Sequence, residues 1–430
     1  MKNNRILIKN GRVIDPAANK DEISDILIEG GKIISVAKDI KNGCRQVIDA
    51  TGKIALPGLV DMHTHLREPG REDKETVASG TAAALKGGVT SVLAMPNTIP
   101  AIDCVKNVSL LQGIIEKTAL ANVYICGAIS LGRKGKELVD LVRMKKEGVL
   151  AFSDDGSSVD DAELLLKAFK KSREQKALII SHSEDKTLSA CGVVNFGFAS
   201  TRLGLRGISR ESEYKRIERD IALSIRAKAS LHIAHVSCRE SVEIVALAKK
   251  KGANLTCETA PHYFSLTEEA VLGYDTNMKI NPPLRRKDDV EAIQQGLKDG
   301  TIDAIASDHA PHTDNEKDIE FERAEFGTIG LETELAVAIT ELVHTGILDW
   351  RQLAAKMSLN PSRILGINKG TLAVGRDADI IIVDPEKEWT VRKEDFISKS
   401  GNSAFIGRKL KGAVEYTICN GKVAYKMRAE

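Results

Sequence analysis

Five short stretches of the chain end in clustered histidine, aspartate and serine. They are Asp61-Met62-His63-Thr64-His65, Ser153-Asp154-Asp155-Gly156, Ser181-His182-Ser183-Glu184, Ala234-His235-Val236-Ser237 and Ser307-Asp308-His309-Ala310-Pro311-His312. In an extended segment residues two apart project to the same side, so His63 and His65 can grip one ion together. A lone His-x-His pair says little. Two further histidines and an aspartate, each closing its own apolar run, turn it into a metal site. Imidazole and carboxylate ligands without thiolate suit Zn²⁺, with Mn²⁺, Co²⁺ and Fe²⁺ as other candidates. One ion on His63, His65 and Asp308 would keep a position for water. A second ion on His182 and His235 needs a bridging ligand, and Asp155 is the best candidate for it. Two cations close together would bring the pKa of a shared water toward neutrality, giving hydroxide for attack on a carbonyl. That chemistry is metal-assisted hydrolysis.

Such residues need a frame that brings separate segments to one place. Apolar runs at 59–63, 91–97, 123–128, 149–155, 178–184, 231–237, 253–260 and 303–309 alternate with helix-length segments. Strand-helix alternation implies crossover connections, and eight strands of this kind predict an α/β fold, a parallel TIM-like barrel. In that barrel, function sits where strands end at the C-terminal face. An open doubly wound sheet is the alternative, but there is no G-x-G-x-x-G after the first strand and no G-x-x-x-x-G-K-[ST] anywhere. Lys249-Lys250-Lys251, just before Gly252, fits a helix end whose dipole it complements.

The two ends of the chain read differently. Asn10-Gly11 predicts a hairpin between 5–9 and 12–15, and Gly30-Gly31 predicts another between 25–29 and 32–37. Near the C-terminus, 378–383 is β-branched, and Asn420-Gly421 predicts a hairpin joining 416–419 to 422–425. Both ends being β-rich, they should meet in one small β-sandwich domain formed by residues 1–56 and 368–430, with 57–367 as the catalytic barrel.

Composition narrows the function classes. With 42% hydrophobic and 28% charged residues, the chain is an ordinary globular protein. A net charge of +2 supplies no field toward nucleic acid or acidic lipid, and 4% aromatics leave few platforms for stacking bases. The seven cysteines are odd in number, scattered and without a C-x-x-C pair, which predicts reduced thiols. The first apolar run, Ile6-Leu7-Ile8, is too short for a signal sequence, and no stretch reaches membrane-spanning length. The expectation is a cytoplasmic protein with no nucleic-acid or membrane partner.

Specific motifs then stand out. Asp61-Met62-His63-Thr64-His65-Leu66-Arg67-Glu68-Pro69-Gly70, Met95-Pro96-Asn97-Thr98 and Ser307-Asp308-His309-Ala310-Pro311-His312 resemble signatures of the dihydroorotases, in the cyclic-amidohydrolase branch of the amidohydrolase superfamily. Glu258-Thr259-Ala260-Pro261-His262, Asn281-Pro282-Pro283-Leu284-Arg285, Glu325-Phe326-Gly327 and Gly375-Arg376-Asp377-Ala378-Asp379 extend the resemblance, in order, over essentially the whole chain. It is to the longer, first class, which combines a barrel with a β domain built from both termini. The resemblance implies reversible hydrolysis of L-dihydroorotate to N-carbamoyl-L-aspartate in pyrimidine synthesis. It implies metal ligands at His63, His65, Asp155, His182, His235 and Asp308, holding one or two Zn²⁺ ions, with Asp308 also as general acid and base. It implies substrate contacts from His65, Arg67, Asn97, Asn281, His312 and the backbone around Phe326-Gly327. Of the adjacent pair, Asp155 is the ligand and Asp154 a support. Many relatives bridge their metals with a carboxylated lysine, and no lysine stands at this strand end, which favours bacterial-type dihydroorotases over hydantoinases. A homodimer and an association with aspartate carbamoyltransferase are further partners compatible with the resemblance.

Plainer roles suit other residues. His232, out of phase with Leu231 and Ile233, reads as a satisfied barrel-wall histidine, and His344 as a structural helix residue. His262 and His309 divide between supporting the ligands and supporting the fold, and Glu184 and Glu258 between orienting ligands and bonding loop amides. The charged segment 313–324, joining His312 to Phe326-Gly327, reads as a mobile lid. Two rival functions remain: a hydantoinase, dihydropyrimidinase or allantoinase, and a non-catalytic partner of aspartate carbamoyltransferase. Arg67 with Asn97 argues against the first, and the complete ligand set against the second.

Overall fold

A computed structural model describes residues 5–41, 44 and 46–428. The remaining positions of the expected terminal domain, 1–4, 42–43, 45 and 429–430, lie outside the described residues. The chain opens with strands β1 (Arg5–Asp15), β2 (Lys20–Glu29), β3 (Lys32–Ala37), β4 (Gln46–Asp49) and β5 (Ile54–Pro57). The expected Asn10-Gly11 hairpin is absent. Asn10 (φ 60°) instead forms a bulge inside one continuous β1, whose pairing with β2 shifts register between Ile8 and Gly11. The side chain of Asp25 takes the Asn10 N–H at 2.9 Å, which holds the bulge. The kink lets one strand serve two parallel partners in turn, β4 through Ile6–Lys9 and β5 through Arg12–Val13. The other two hairpins are present.

After β5 only Gly58 intervenes before the barrel begins, and a Cβ there would fall 2.3 Å from Thr90 Oγ1. The barrel strands are β6 (Leu59–Thr64), β7 (Val89–Ala94), β8 (Asn122–Gly127), β9 (Val149–Phe152) and β10 (Leu178–Ser181). A short parallel pair, β11 (Val194–Asn195) and β12 (Gly207–Ile208), lies outside the barrel, which resumes with β13 (Leu231–Ile233), β14 (Leu255–Thr259) and β15 (Ala304–Ile305). All neighbours are parallel in the order β6-β7-β8-β9-β10-β13-β14-β15. A bridge between Thr64 and His309 closes the ring, with His65 N–H donating to His309 O at 2.9 Å. The eight-stranded parallel barrel predicted from the apolar runs is therefore the fold.

Alternation along each strand builds two cores. Leu231 and Ile233 face the surrounding helices, with Val92, Val149, Phe152 and Ile179. Val60, Met62, Leu93, Cys126, Ala151 and Ile180 fill the barrel interior. The ladders end earlier than the apolar runs suggest: 149–155 pairs only to Phe152, and 231–237 only to Ile233. In the runs 231–237 and 303–309 the cause is local: His235 (φ 37°) and Asp308 (φ 48°) themselves adopt left-handed backbone, which breaks extended pairing at the reactive residues. The helix Arg239–Lys250 ends where the lysine run predicts, and Lys249 Nζ donates to Thr301 O at 2.8 Å.

The C-terminal strands β16 (Ile380–Thr390), β17 (Lys409–Cys419) and β18 (Lys422–Lys426) join β5, giving the order β18-β17-β16-β5-β1-β2-β3 with β4 beside β1. This single sheet folds over on itself. The backbone beside β3 bonds to the approach to β16 (Ile33 N–H to Arg376 O, 3.0 Å; Ala378 N–H to Gly31 O, 2.9 Å). Ile8, Ile26, Ile28, Ile33, Ile380, Ile382 and Ile418 fill the fold between the two arms. The sandwich is thus one continuous sheet drawn from both ends of the chain.

One buried group works against stability. Glu334, at the start of the helix Glu334–Ala338, is buried with neither carboxyl oxygen hydrogen-bonded. Burial, and then the charges of Asp61 and Glu258, hold its carboxyl well above the usual range. Glu334→Met should stabilise the protein by about 1–3 kcal/mol at pH 8, because an unsatisfied buried carboxyl is removed. The folded-state pKa is the raised one, so this penalty grows as pH climbs above ~4.5, where the unfolded chain gives up the proton. Urea unfolding of both proteins from pH 4 to 8 should show the gap widening with pH; a constant or reversed gap contradicts it.

Candidate metal centre

The six expected ligand residues meet at the C-terminal mouth of the barrel, all buried. His63, His65 and Asp155 form one group, and Asp155, His182 and His235 another, with the candidate ligand atoms in each lying within 4.8 Å of one another. Asp155 belongs to both. Its Oδ1 lies 3.2 Å from His63 Nε2, 3.5 Å from His182 Nδ1 and 3.8 Å from His235 Nε2, while Oδ2 lies 3.4 Å from His65 Nε2. His182 Nδ1 and His235 Nε2 are 2.8 Å apart, the separation of two donors turned to one point. Asp308 Oδ1 completes the first group from above, 3.6 Å from His63 Nε2 and 3.4 Å from His65 Nε2. Burial opposes the charge on Asp155 and Asp308, but the surrounding imidazoles outweigh it and hold both carboxyls well below the ordinary range.

The donor set fits a divalent cation. His63 Nε2 and Asp155 Oδ1 are buried without a hydrogen-bond partner, and such groups need another source of compensation. The opposite edges of the rings are already committed. His63 Nδ1 donates to Glu258 Oε1 at 2.7 Å, and His65 Nδ1 to Asn97 Oδ1 at 2.8 Å, which leaves each Nε2 lone pair facing inward. Asp61 accepts the N–H of His63 at 2.9 Å and bonds Ser307 of the last strand end. Asp154, the neighbour of Asp155, accepts the N–H groups of Ile129 and Ser130 at 2.8 and 3.0 Å, a supporting role.

His232 proves to be more than wall packing. It projects into the barrel between Leu231 and Ile233, with Nδ1 2.8 Å from Thr256 Oγ1 and Nε2 3.2 Å from Glu258 Oε2. Glu258 is therefore gripped between His232 and His63. Their charges and hydrogen bonds overcome its burial and bring its carboxyl down to about 2. His309 is a support as well, 3.3 Å from Glu75 Oε2 and accepting Gly330 N–H. His262 packs its ring on Tyr263, and the His344 ring, exposed in the turn that follows the helix Ile339–Val343 rather than in a helix as expected, lies 3.1 Å from Pro385 O.

A cavity of about 270 Å³ opens above the ligands. Arg67, Asn97, Asn281, His312, Phe326 and Gly327 all line it, joined by Arg133 and Ile280, which the sequence reading did not single out. Arg67 Nε donates to Pro311 O at 3.1 Å, and Nη2 lies 3.2 Å from His312 Nε2. Burial lowers the Arg67 guanidinium to about 10. His312 is flanked on its other nitrogen by Lys74 Nζ at 3.0 Å. Burial first, then these two cations, hold His312 neutral, with a pKa pushed down to about 2. Lys74 was also missed; it is a buried lysine in a loop with no periodicity to mark it. The segment 313–324, expected as a mobile lid, is tied down between two residues that line the cavity, His312 and Glu325. Glu316 pairs with Arg71 at 2.7 Å and Lys74 at 2.9 Å, and Lys317 Nζ donates to Glu325 O and Gly327 O at 2.8 and 3.0 Å.

A parallel barrel whose mouth presents four histidines around a shared carboxylate defines a hydrolase of the metal-dependent amidohydrolase class. Among solved structures, an L-hydantoinase (dihydropyrimidinase) from Arthrobacter aurescens is similar at TM-score 0.89 and 25% identity, over 98% of this chain and 96% of that one. A dihydropyrimidinase from Brevibacillus agri is similar at TM-score 0.86 and 27% identity, over 97% and 94%. The family description "Dihydro-orotase-like" matches residues 52–241. Proteins named dihydroorotase are nearer in sequence: that of Elusimicrobium minutum is 54% identical over 97% of both chains, and that of Geotalea daltonii 49% over 98% of this chain and 99% of the other. The chain belongs to the dihydroorotase family.

The Glu258–His63 contact generates a test. Glu258→Gln should lower metal affinity roughly 10- to 100-fold, since the ring loses the carboxylate that fixes its orientation. Metal analysis after dialysis against a graded chelator reads this directly; retention equal to the parent would show that Glu258 does not orient His63.

Proposed function

We propose that the chain catalyses the reversible hydrolysis of L-dihydroorotate to N-carbamoyl-L-aspartate, with His63, His65, Asp155, His182, His235 and Asp308 holding one or two Zn²⁺ ions. The observation that carries this reading is the pairing of two facts in one cavity. Asp155 is shared between two histidine groups, and Arg67 is a buried guanidinium with no carboxylate partner among the described residues. When bound, the divalent ion supplies acidity to water and polarises the amide carbonyl.

The protein's own groups do the rest. Asp308 faces the reacting centre and takes the proton released as water adds to the ring carbonyl. It returns that proton to the ring nitrogen as the C–N bond breaks, giving a ureido NH₂ and a new carboxyl group, which releases the second proton of the water to solvent as it ionises. Arg67 offers a planar fork for the substrate carboxylate. His312 stands between Lys74 Nζ, 3.0 Å from its Nδ1, and Arg67 Nη2, 3.2 Å from its Nε2, and so lines the seat for the same carboxylate. Asn97 spends its oxygen on His65 and so presents its NH₂ to the cavity. Asn281 donates to Glu184 Oε2 at 3.3 Å, and Glu184 lies 3.4 Å from His182, tying the substrate side to the ligand side. Phe326 and Gly327 present backbone to the ring, held by Gly327 N–H donating to Lys279 O at 2.9 Å.

The same reading divides the chain into a catalytic barrel at 57–367 and a composite β domain at 1–56 and 368–430. It places the enzyme in the cytoplasm with a small-molecule substrate, in a setting compatible with a homodimer and with aspartate carbamoyltransferase as a partner. Among the described residues no helix is long and apolar enough to cross a membrane.

Arg67 separates this reading from that of a hydantoinase. A substrate without a carboxylate would leave the guanidinium desolvated and unpaired, at a cost on the order of 3–5 kcal/mol. Arg67→Ala should therefore reduce kcat/KM for dihydroorotate by about a hundredfold or more. Near-normal turnover would remove the carboxylate role. In the parent protein, chelation should abolish dihydroorotate hydrolysis and zinc, cobalt or manganese should restore it; a protein inactive with all three metals would overturn the function.

A further inference from the structure

Arg133 lies in the loop after β8, far in sequence from every motif of the site, yet it lines the same cavity as Asp155 and Asn281. The loop is anchored rather than free. Asp154 takes the N–H groups of Ile129 and Ser130, Ser130 Oγ accepts Gly135 N–H at 2.7 Å, and Asp103 accepts Gly132 N–H at 2.8 Å. Gly132 (φ 60°) and Arg133 (φ 56°) both take left-handed backbone, and for an arginine that conformation persists only where surrounding bonds impose it. The residue beside Asp155 thus fixes the loop that carries Arg133.

The guanidinium so placed has nothing to bind. Its Nε is buried with no hydrogen-bond partner, and no carboxylate lies within ion-pairing distance of it among the described residues. A solvated surface arginine would keep Nε in water. Its terminal nitrogen faces Gly156, the residue after Asp155. The point at which any other residue would carry Cβ lies 3.7 Å from Arg133 Nη2 and 3.7 Å from Asn97 Nδ2. The Asn97 oxygen is already occupied by His65, so the nitrogen is the atom left to the cavity. Two donors, one of them cationic, therefore converge over a bare backbone patch, and an anionic oxygen is the chemistry that satisfies both.

We propose that Arg133 is a further substrate-binding residue, which together with Asn97 takes one carboxylate oxygen of the substrate over Gly156. This rests on the dihydroorotate reading and deepens it: the acid is recognised by cations from two separate loops, Arg67 after β6 and Arg133 after β8. Arg133 touches no ligand residue within hydrogen-bond distance, so its removal leaves the metal centre intact. A carboxylate present in both ring and open chain makes the effect appear in both directions of the reaction.

The test uses metal-loaded protein and the variants Arg133→Gln and Arg133→Lys. Arg133→Gln should raise KM for dihydroorotate and for N-carbamoyl-L-aspartate tenfold or more, with kcat within about threefold and metal content unchanged, and Arg133→Lys should recover part of the loss. Equilibrium binding of orotate and uracil isolates the seat from turnover. Orotate should bind at least tenfold more weakly to Arg133→Gln, and uracil, which lacks the carboxylate, equally to both proteins. Unchanged orotate affinity, or equal weakening of orotate and uracil, overturns the proposal. If the parent binds orotate through Arg133 but does not hydrolyse dihydroorotate, the functional reading fails and the carboxylate seat stands.

Discussion

A carboxylate removed from water is expensive unless opposite charge surrounds it, and Asp155 is removed from water at the centre of four imidazoles. Those imidazoles come from three different strand ends, after β6, β10 and β13, and Asp155 from a fourth. No local segment could assemble them. The closed parallel barrel is the arrangement that points many strand ends at one spot, and the bridge from Thr64 to His309 is what brings the eighth strand end, with Asp308, back beside the first. The second layer follows from the same constraint. The ring edges turned away from the centre are occupied: Glu258 holds His63 from below, with His232 3.2 Å from its other oxygen, and Asn97 holds His65 from the cavity side.

The barrel, and the gathering of histidine and aspartate at its mouth, were legible in the sequence because both rest on local pattern. Apolar runs mark buried parallel strands, and polar residues piled after them mark the mouth. What the pattern could not show was how each strand ends. A left-handed residue such as His235 or Asp308 looks like strand continuation in sequence, since nothing but backbone geometry distinguishes it. Asn10-Gly11 carried the chemistry of a tight turn, and its left-handed preference was used for a bulge instead, because Asp25 rewards the kink and two partner strands must be reached. The supports were hidden for another reason. His232, Thr256 and Glu258 touch only through strand pairing, where His232 lies opposite Thr256. Lys74 and Arg133 sit in loops, which have no period to betray a direction.

The fold leaves the choice of substrate open. The hydantoinase and dihydropyrimidinase structures share the architecture almost completely at a quarter of the sequence. Substrate choice therefore resides in loops that the barrel only presents. In this chain those loops carry cations with no carboxylate partner among the described residues: Arg67 donates to a carbonyl and lies beside an imidazole, and the Nε of Arg133 has no hydrogen-bond partner there. Unpaired buried cations destabilise the empty protein and discriminate strongly against a neutral ligand, because only an anion repays their desolvation.

The terminal sheet enters this economy more directly than a satellite would. The segment between β16 and β17 crosses the substrate side of the barrel mouth. Asn402 accepts His312 N–H at 3.0 Å and donates to Ala310 O and Gly327 O at 3.1 Å each, while Ile329 N–H donates to Asn402 O at 2.9 Å. Ser400 bonds Lys74 O at 2.7 Å, and Ser398 bonds Glu75, which also holds His309. One stretch of chain therefore ties together the loop after β6, the loop after β15 and the backbone of Gly327, the parts we propose to grip the acid end of the substrate. Those loops contain a buried lysine, a neutral histidine between two cations and a backbone carbonyl shared by Lys317 and Asn402, none of which would hold its place by apolar packing alone. Folding the two ends of the chain into one sheet fixes where that segment starts and where it returns, and so the sheet sets the geometry of recognition while the barrel sets the geometry of the metal centre.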